Sequence, residues 1–117
     1  MKYFSNLHNS LSIFLFHGVI EKKNKGIRNY NLKHIEKKKF LKIIKFLKSK
    51  GECLSIDQIY KIIQNKSKFP KNAFAITFDD GFENNLKIAV PILKKYNLKS
   101  TFYFSSELVD KNVMSWI

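Results

Sequence analysis

Two adjacent carboxylates, Asp79 and Asp80, stand at the end of the apolar run AFAITF (73–78) and are followed by Gly81. Ionised carboxylates side by side repel each other, and partial burial raises that cost unless a metal, a bound proton or solvent offsets it. Neighbouring residues diverge in direction, so the two groups divide the work. One would bind a divalent cation while the other orients or deprotonates a water. Gly81 would let the backbone turn tightly beside such an ion. A plainer reading also fits the three residues: a strand-end turn in which an aspartate caps the next helix and the glycine supplies unusual dihedrals.

Two phosphate chemistries fit less well. A phosphotransfer receiver needs an acceptor aspartate two strands beyond its acidic pair, and no later strand-end aspartate is well placed. Haloacid-type phosphatases need carboxylates one residue apart, which Asp79 and Asp80 are not. With four glycines, none clustered, no loop is built to cradle a phosphate.

The elements around the pair set its position. AFAITF is continuously apolar, as a strand covered on both faces should be. LSIFLFH (11–17) predicts a central strand that ends in His17. Residues 18–34 are polar, with two glycines and three asparagines, and read as a long loop. Over 35–50, Phe40, Ile43, Ile44 and Leu47 recur at helical spacing opposite lysines, and Gly51 is the stop. Ser55 and Gln58 stand at capping-box spacing and open a second helix, with Ile56, Ile59, Tyr60 and Ile63 as its inner face. Residues 65–72 are a turn-rich connector containing Pro70. Residues 84–96 place Leu86, Ala89, Val90 and Leu93 on one side of a helix that Pro91 should kink or interrupt. STFYFSS (100–106) is a further strand. Strand, helices, strand, helix, strand is the order of a parallel α/β sheet. In such sheets ligands bind beyond the carboxyl ends of the strands. His17, the Asp79–Asp80 pair and Ser105–Ser106 all fall there.

Composition bounds the rest. The chain has 117 residues, enough for one domain, and is 44% hydrophobic, so it is expected to fold. Its one cysteine, Cys53, excludes an internal disulfide and a cysteine-rich zinc site. The net charge of +13 comes from 21 lysines and a single arginine, Arg28. Nucleic-acid sites favour arginine for its bidentate fork, so no nucleic-acid partner is expected. The charge reads first as a solvated lysine surface, with peripheral association of helix 35–50 with an anionic membrane as the alternative. The run Leu11–Phe16 is too short for a secretion signal's core or a bilayer span. The expected location is the cytoplasm or the cytoplasmic membrane surface, with export as the alternative. Three strands make a small parallel sheet, and the chain stops after the apolar VMSWI, so 1–117 reads as the N-terminal part of something longer.

A resemblance sharpens the chemistry. Thr77-Phe78-Asp79-Asp80-Gly81 resembles the first motif of the polysaccharide deacetylase family (the NodB-homology group, carbohydrate esterase family 4). Phe82, Asn85, Ala89, Pro91, Ile92 and Leu93 resemble the helix that follows it, and Ser100 to Phe104 the next strand. Phe16-His17-Gly18-Val19 and Met114-Ser115-Trp116 resemble segments of one bacterial subgroup. The resemblance implies an α/β fold, the N-terminal part of a distorted (β/α) barrel, with 1–117 an incomplete domain. It implies a divalent metal of the zinc type, with Asp79 as catalytic base, Asp80 as metal ligand, and His17, Thr77 and Gly81 lining the site. The implied reaction is hydrolysis of the N-acetyl group of a sugar in a glycan, releasing acetate and leaving an amine. The family's pair of histidines four apart and its late acid histidine have no counterpart, since His8, His17 and His34 all precede the aspartates. The remaining metal ligands are therefore not in this chain, and these residues alone are expected to be inactive. His8 and His34 have no motif around them and are expected in solvent. The different-class alternative is a small basic α/β binding protein or pseudoenzyme on an anionic membrane or polyanion.

Overall fold

The structure, a computed structural model, describes residues 10–22 and 32–106. His8 and the Met114–Trp116 segment lie outside them. Strand β1 (Leu11–Phe16) is followed by β2 (Gly18–Ile20), β3 (His34–Glu36), helices α1 (Lys37–Lys50) and α2 (Ile56–Gln64), and strand β4 (Ala73–Phe78). A π-helical turn (Asn85–Ala89) then leads into α3 (Val90–Lys95) and β5 (Thr101–Phe102). The main sheet is parallel, in the order β1-β4-β5. β4 is central and buried at every residue, as its unbroken apolar run requires.

Alternation along β4 divides the core. Phe74, Ile76 and Phe78 pack with Phe40, Ile44 and Leu47 of α1 and with Ala89, Ile92 and Leu93. Ala73 and Ala75 meet Leu54 and Ile59, so α2 covers part of the other face. Small alanines on that side let α2 approach. Phe16, Phe78 and Phe102, level in the register, form an aromatic row with ring centroids 5.5 Å and 4.8 Å apart. The α2 capping box forms as its sequence predicts: Ser55 Oγ accepts from the Gln58 N–H, and Gln58 Oε1 accepts from the Ser55 N–H.

Several expectations are corrected. β1 is not central; among the described residues it pairs only with β4. Ile13 and Leu15 point to the face α2 leaves open and are 56% and 54% exposed. The segment 18–34 is not all loop, because β2 and the start of β3 pair in parallel, Gly18 to His34. On α2 the buried face runs through Ile56, Ile59 and Ile62, while Tyr60 and Ile63 are exposed. Steps of three residues drift back by about 60° each at the helical period, so the face curves away from Tyr60. Leu86 is exposed, because the wider turn beginning at Asn85 changes the helical phase. β5 ends at Phe102, so Ser105 and Ser106 are exposed and are not at its end.

Pro91 acts as expected of a proline within a helix. It lacks an N–H and crowds the carbonyl four residues back. The Val90 N–H bonds instead to Asn85 O, five residues back, and the chain resumes α geometry with Pro91 in its first turn.

Candidate functional site

The register that pairs Phe16 with Phe78 sets His17 level with Asp79. The ladder runs one bond past the strands, from Asp79 N–H to Phe16 O at 2.9 Å, and the Tyr103 N–H bonds to Phe78 O at 2.8 Å. The acidic pair is thus anchored on both sides by the sheet. The backbone then turns sharply: Asp80 has φ +68° and Gly81 φ +63°. Left-handed geometry is cheap for glycine and tolerated by aspartate, which is why this turn carries those types. A Cβ at Gly81 would also collide with the Phe104 ring.

Two basic side chains approach Asp80. Its Oδ2 lies 3.9 Å from His17 Nε2 and 3.7 Å from Lys33 Nζ. The side chain as a whole is 27% exposed, yet Oδ2 itself is buried and accepts no hydrogen bond. A buried carboxylate oxygen that accepts no hydrogen bond is an open acceptor, which a cation could occupy in competition with the Lys33 ammonium. Thr77 lies beneath, buried, with Oγ1 3.4 Å from Phe14 O, its hydroxyl spent on β1.

Residues without a sequence signal complete the surroundings. His34 is not a solvated residue: it opens β3, is half-buried, and sits edge-on to Phe82 at 4.6 Å. Burial, then the nearby charges of His17 and Lys33, push its pKa below the usual histidine value. Asn84 Nδ2 lies 3.1 Å from His34 Nδ1, and Asn85 Nδ2 donates to His17 O at 2.9 Å. Lys33, His34 and Asn84 carry no site signal in the sequence, because single polar residues in a polar stretch look alike until the strands bring them together, and Asn85 stands in the family resemblance only as part of the following helix. The Asn84–Asn85 doublet directly after the DDG turn was the one available hint. Beside Gly81 an apolar cavity of about 280 Å³ opens between Phe82, Leu86, Phe102 and Phe104.

Among the described residues no group of three histidine, cysteine or acidic side chains stands close enough to hold a metal ion. Tight zinc sites use three or four protein ligands. The residues present supply one suited ligand atom, Asp80 Oδ2, but not a full coordination sphere.

The profile of the polysaccharide deacetylase family matches residues 66–115. A poly-beta-1,6-N-acetyl-D-glucosamine N-deacetylase of Staphylococcus aureus (strain MSSA476) is 33% identical over 90 residues, 76% of this chain and 30% of that protein. Among solved structures, a de-N-acetylase from Aggregatibacter actinomycetemcomitans superposes with a TM-score of 0.74 and 26% identity, covering 86% of this chain and 39% of that one. The Streptococcus pyogenes deacetylase PplD, solved with acetate, gives 0.72 and 21%, covering 93% and 48%. The chain thus spans about a third of the length of the curated relative and less than half of each solved structure. By sequence and fold this chain is similar to the polysaccharide deacetylases, matching the N-terminal portion of their NodB-type (β/α) barrel domain.

Proposed function

We propose that the protein carrying this chain hydrolyses the N-acetyl group of an N-acetylated sugar in a polysaccharide, releasing acetate and leaving a free amine. The observation that supports it is the buried, hydrogen-bond-free Oδ2 of Asp80 beside Asp79 at the carboxyl end of the central strand. In this reading Asp79 is the general base. Its backbone is fixed by the bond to Phe16 O, which sets the residue at the strand end beside Asp80, where its carboxylate would take a proton from the attacking water. Asp80 is the ligand this chain contributes to a divalent cation, of the zinc type by family resemblance. The chemistry such an ion supplies when bound is polarisation of the acetyl carbonyl. His17 and Gly81 line the site, and Thr77 braces the strand end from below. The remaining ligands and the acid for the leaving amine come from residues beyond these 117. This chain alone is accordingly inactive.

The test begins with the coding sequence after codon 117. The reading expects an open frame that supplies a pair of histidines four apart. In the protein made from that frame, Asp79→Asn should cut acetate release from N-acetylglucosamine oligomers by at least about 100-fold, the usual size of a general-base contribution. Asp80→Ala should mainly lower bound metal, measured by elemental analysis. Acetate release that survives Asp79→Asn unchanged overturns the assignment.

A further inference from the structure

Helix α1 carries charge that the Asp80 site does not use. Between Lys37 and Lys50 it holds seven lysines and no acidic residue. Lys37 is paired with Glu21 at 2.9 Å. Lys38, Lys39, Lys42, Lys45, Lys48 and Lys50 are exposed, and among the described residues none of them forms an ion pair. Lys38, Lys42, Lys45 and Lys48 follow one another at steps of three or four, so like charges line one side of the helix. Lys37, Lys38 and Lys39 open it, at the end where the helix dipole is positive. Water and salt only screen this repulsion, whereas an anionic surface removes it.

The outer side of α1 is not uniformly polar. A shallow groove of about 420 Å³ runs along it, lined by Ile35 of β3 and by Lys39, Lys42, Ile43 and Phe46. Ile35, Ile43 and Phe46 are half-buried, while Lys39 and Lys42 are exposed. Lysine side chains lay their methylenes along an apolar floor and carry their ammonium groups to its rim. An apolar floor under a cationic rim is complementary to an amphiphile with an anionic head. A polynucleotide or an anionic glycan would meet the rim and leave the floor in water. The chain's single arginine also offers little of the bidentate phosphate contact such polymers use.

We propose that α1, with Ile35, is a docking face for a membrane surface rich in anionic phospholipid. The lysine ammoniums meet the lipid phosphates, and the Ile35–Ile43–Phe46 floor takes the upper part of an acyl chain. The contact is peripheral, and it stands independently of the deacetylase reading.

The experiment sediments the full 117-residue chain with vesicles of phosphatidylcholine alone and of phosphatidylcholine mixed with phosphatidylglycerol, with circular dichroism as the check on folding. The chain should bind the mixed vesicles and not the neutral ones. The double variant Lys39→Gln, Lys42→Gln should weaken that partition by about tenfold or more, since each lysine near an anionic surface contributes. Lys68→Gln, Lys71→Gln removes the same charge from the exposed 65–72 connector and should weaken it far less. Equal weakening by the two pairs would mean attraction to net charge alone, and overturns the assignment. Equal binding to neutral vesicles overturns it too, because it would place the contact on apolar surface such as Ile13 and Leu15. In a second arm, soluble short-chain phosphatidylglycerol should shift the amide ¹H–¹⁵N signals of Ile35, Ile43 and Phe46. Glycerol phosphate or a duplex oligonucleotide at the same concentration should not. Shifts as large with either would make α1 a phosphate or polyanion site and overturn the lipid assignment. No readout depends on turnover, so failure here leaves the deacetylase reading untouched.

Discussion

At the scale of single residues, His34 ties the site to acidity. Burial, with the charges of His17 and Lys33, lowers its pKa in the folded chain from the ordinary 6.5. The folded state then favours the neutral ring, so the unfolded chain takes up a proton first as pH falls. The stabilising effect of holding His34 neutral is complete above 6.5 and is lost as pH drops below it. The Asn84 amide works in the same direction, because a protonated Nδ1 would set a donor against a donor. Urea midpoints measured at about pH 7.5 and about pH 5.5 should fall more steeply for the wild type than for His34→Gln, which has no proton to gain. Equal falls in the two proteins would show that His34 does not carry this dependence. The Asp79-Asp80-Gly81 turn was legible at the same scale, since few other types accept left-handed geometry directly after a buried strand. His34 was not legible. Its neighbours come from 50 residues away in the chain, and no local pattern marks that encounter.

At the scale of elements, stability rests on how α1 and α2 close the two faces of β4. Phe40 is fully buried and packs its ring 5.1 Å from Phe16 and 6.0 Å from Phe78, at the centre of the α1 side. Phe40→Ala should cost about 3–5 kcal/mol, the usual loss for a buried aromatic and the cavity it leaves. Ser55→Ala removes one half of the α2 capping box and should cost about 1 kcal/mol. Urea denaturation of the two variants checks both, and a Phe40→Ala loss no larger than that of Ser55→Ala would contradict this division of the core. The sequence patterns that marked these elements are local ones: the capping box, the heptad-like spacing of Phe40, Ile44 and Leu47, and the proline inside the last helix. Those that misled were runs whose burial depends on a distant partner. LSIFLF has the composition of a central strand, but α2 reaches only the Leu11 end of its outer face. The pairing of β2 with β3 joins two three-residue strands across a polar segment, too short for alternation to appear.

At the scale of the whole molecule, the described residues leave one face of the sheet open. Ile13 and Leu15 share the side of Ala75 and Thr77 through the β1–β4 register, and both are more than half exposed. Leu86 and Phe104, around the apolar cavity beside Gly81, are exposed as well. Contiguous exposed apolar surface on a folded chain marks a contact the chain makes with something else. The solved relatives are more than twice as long as the portion this chain covers, so the same face belongs to a larger unit there. The 117-residue chain by itself should therefore bind the dye ANS, which reports exposed apolar surface. An Ile13→Lys, Leu15→Lys double variant should bind less dye while keeping the far-ultraviolet circular dichroism of the wild type, because neither side chain belongs to the core around Phe40. Dye binding unaltered in a folded double variant would place the exposed surface elsewhere, at the cavity. Leu86→Lys would then be the substitution that lowers it. Weak binding by the wild type would mean instead that β1 is covered in solution.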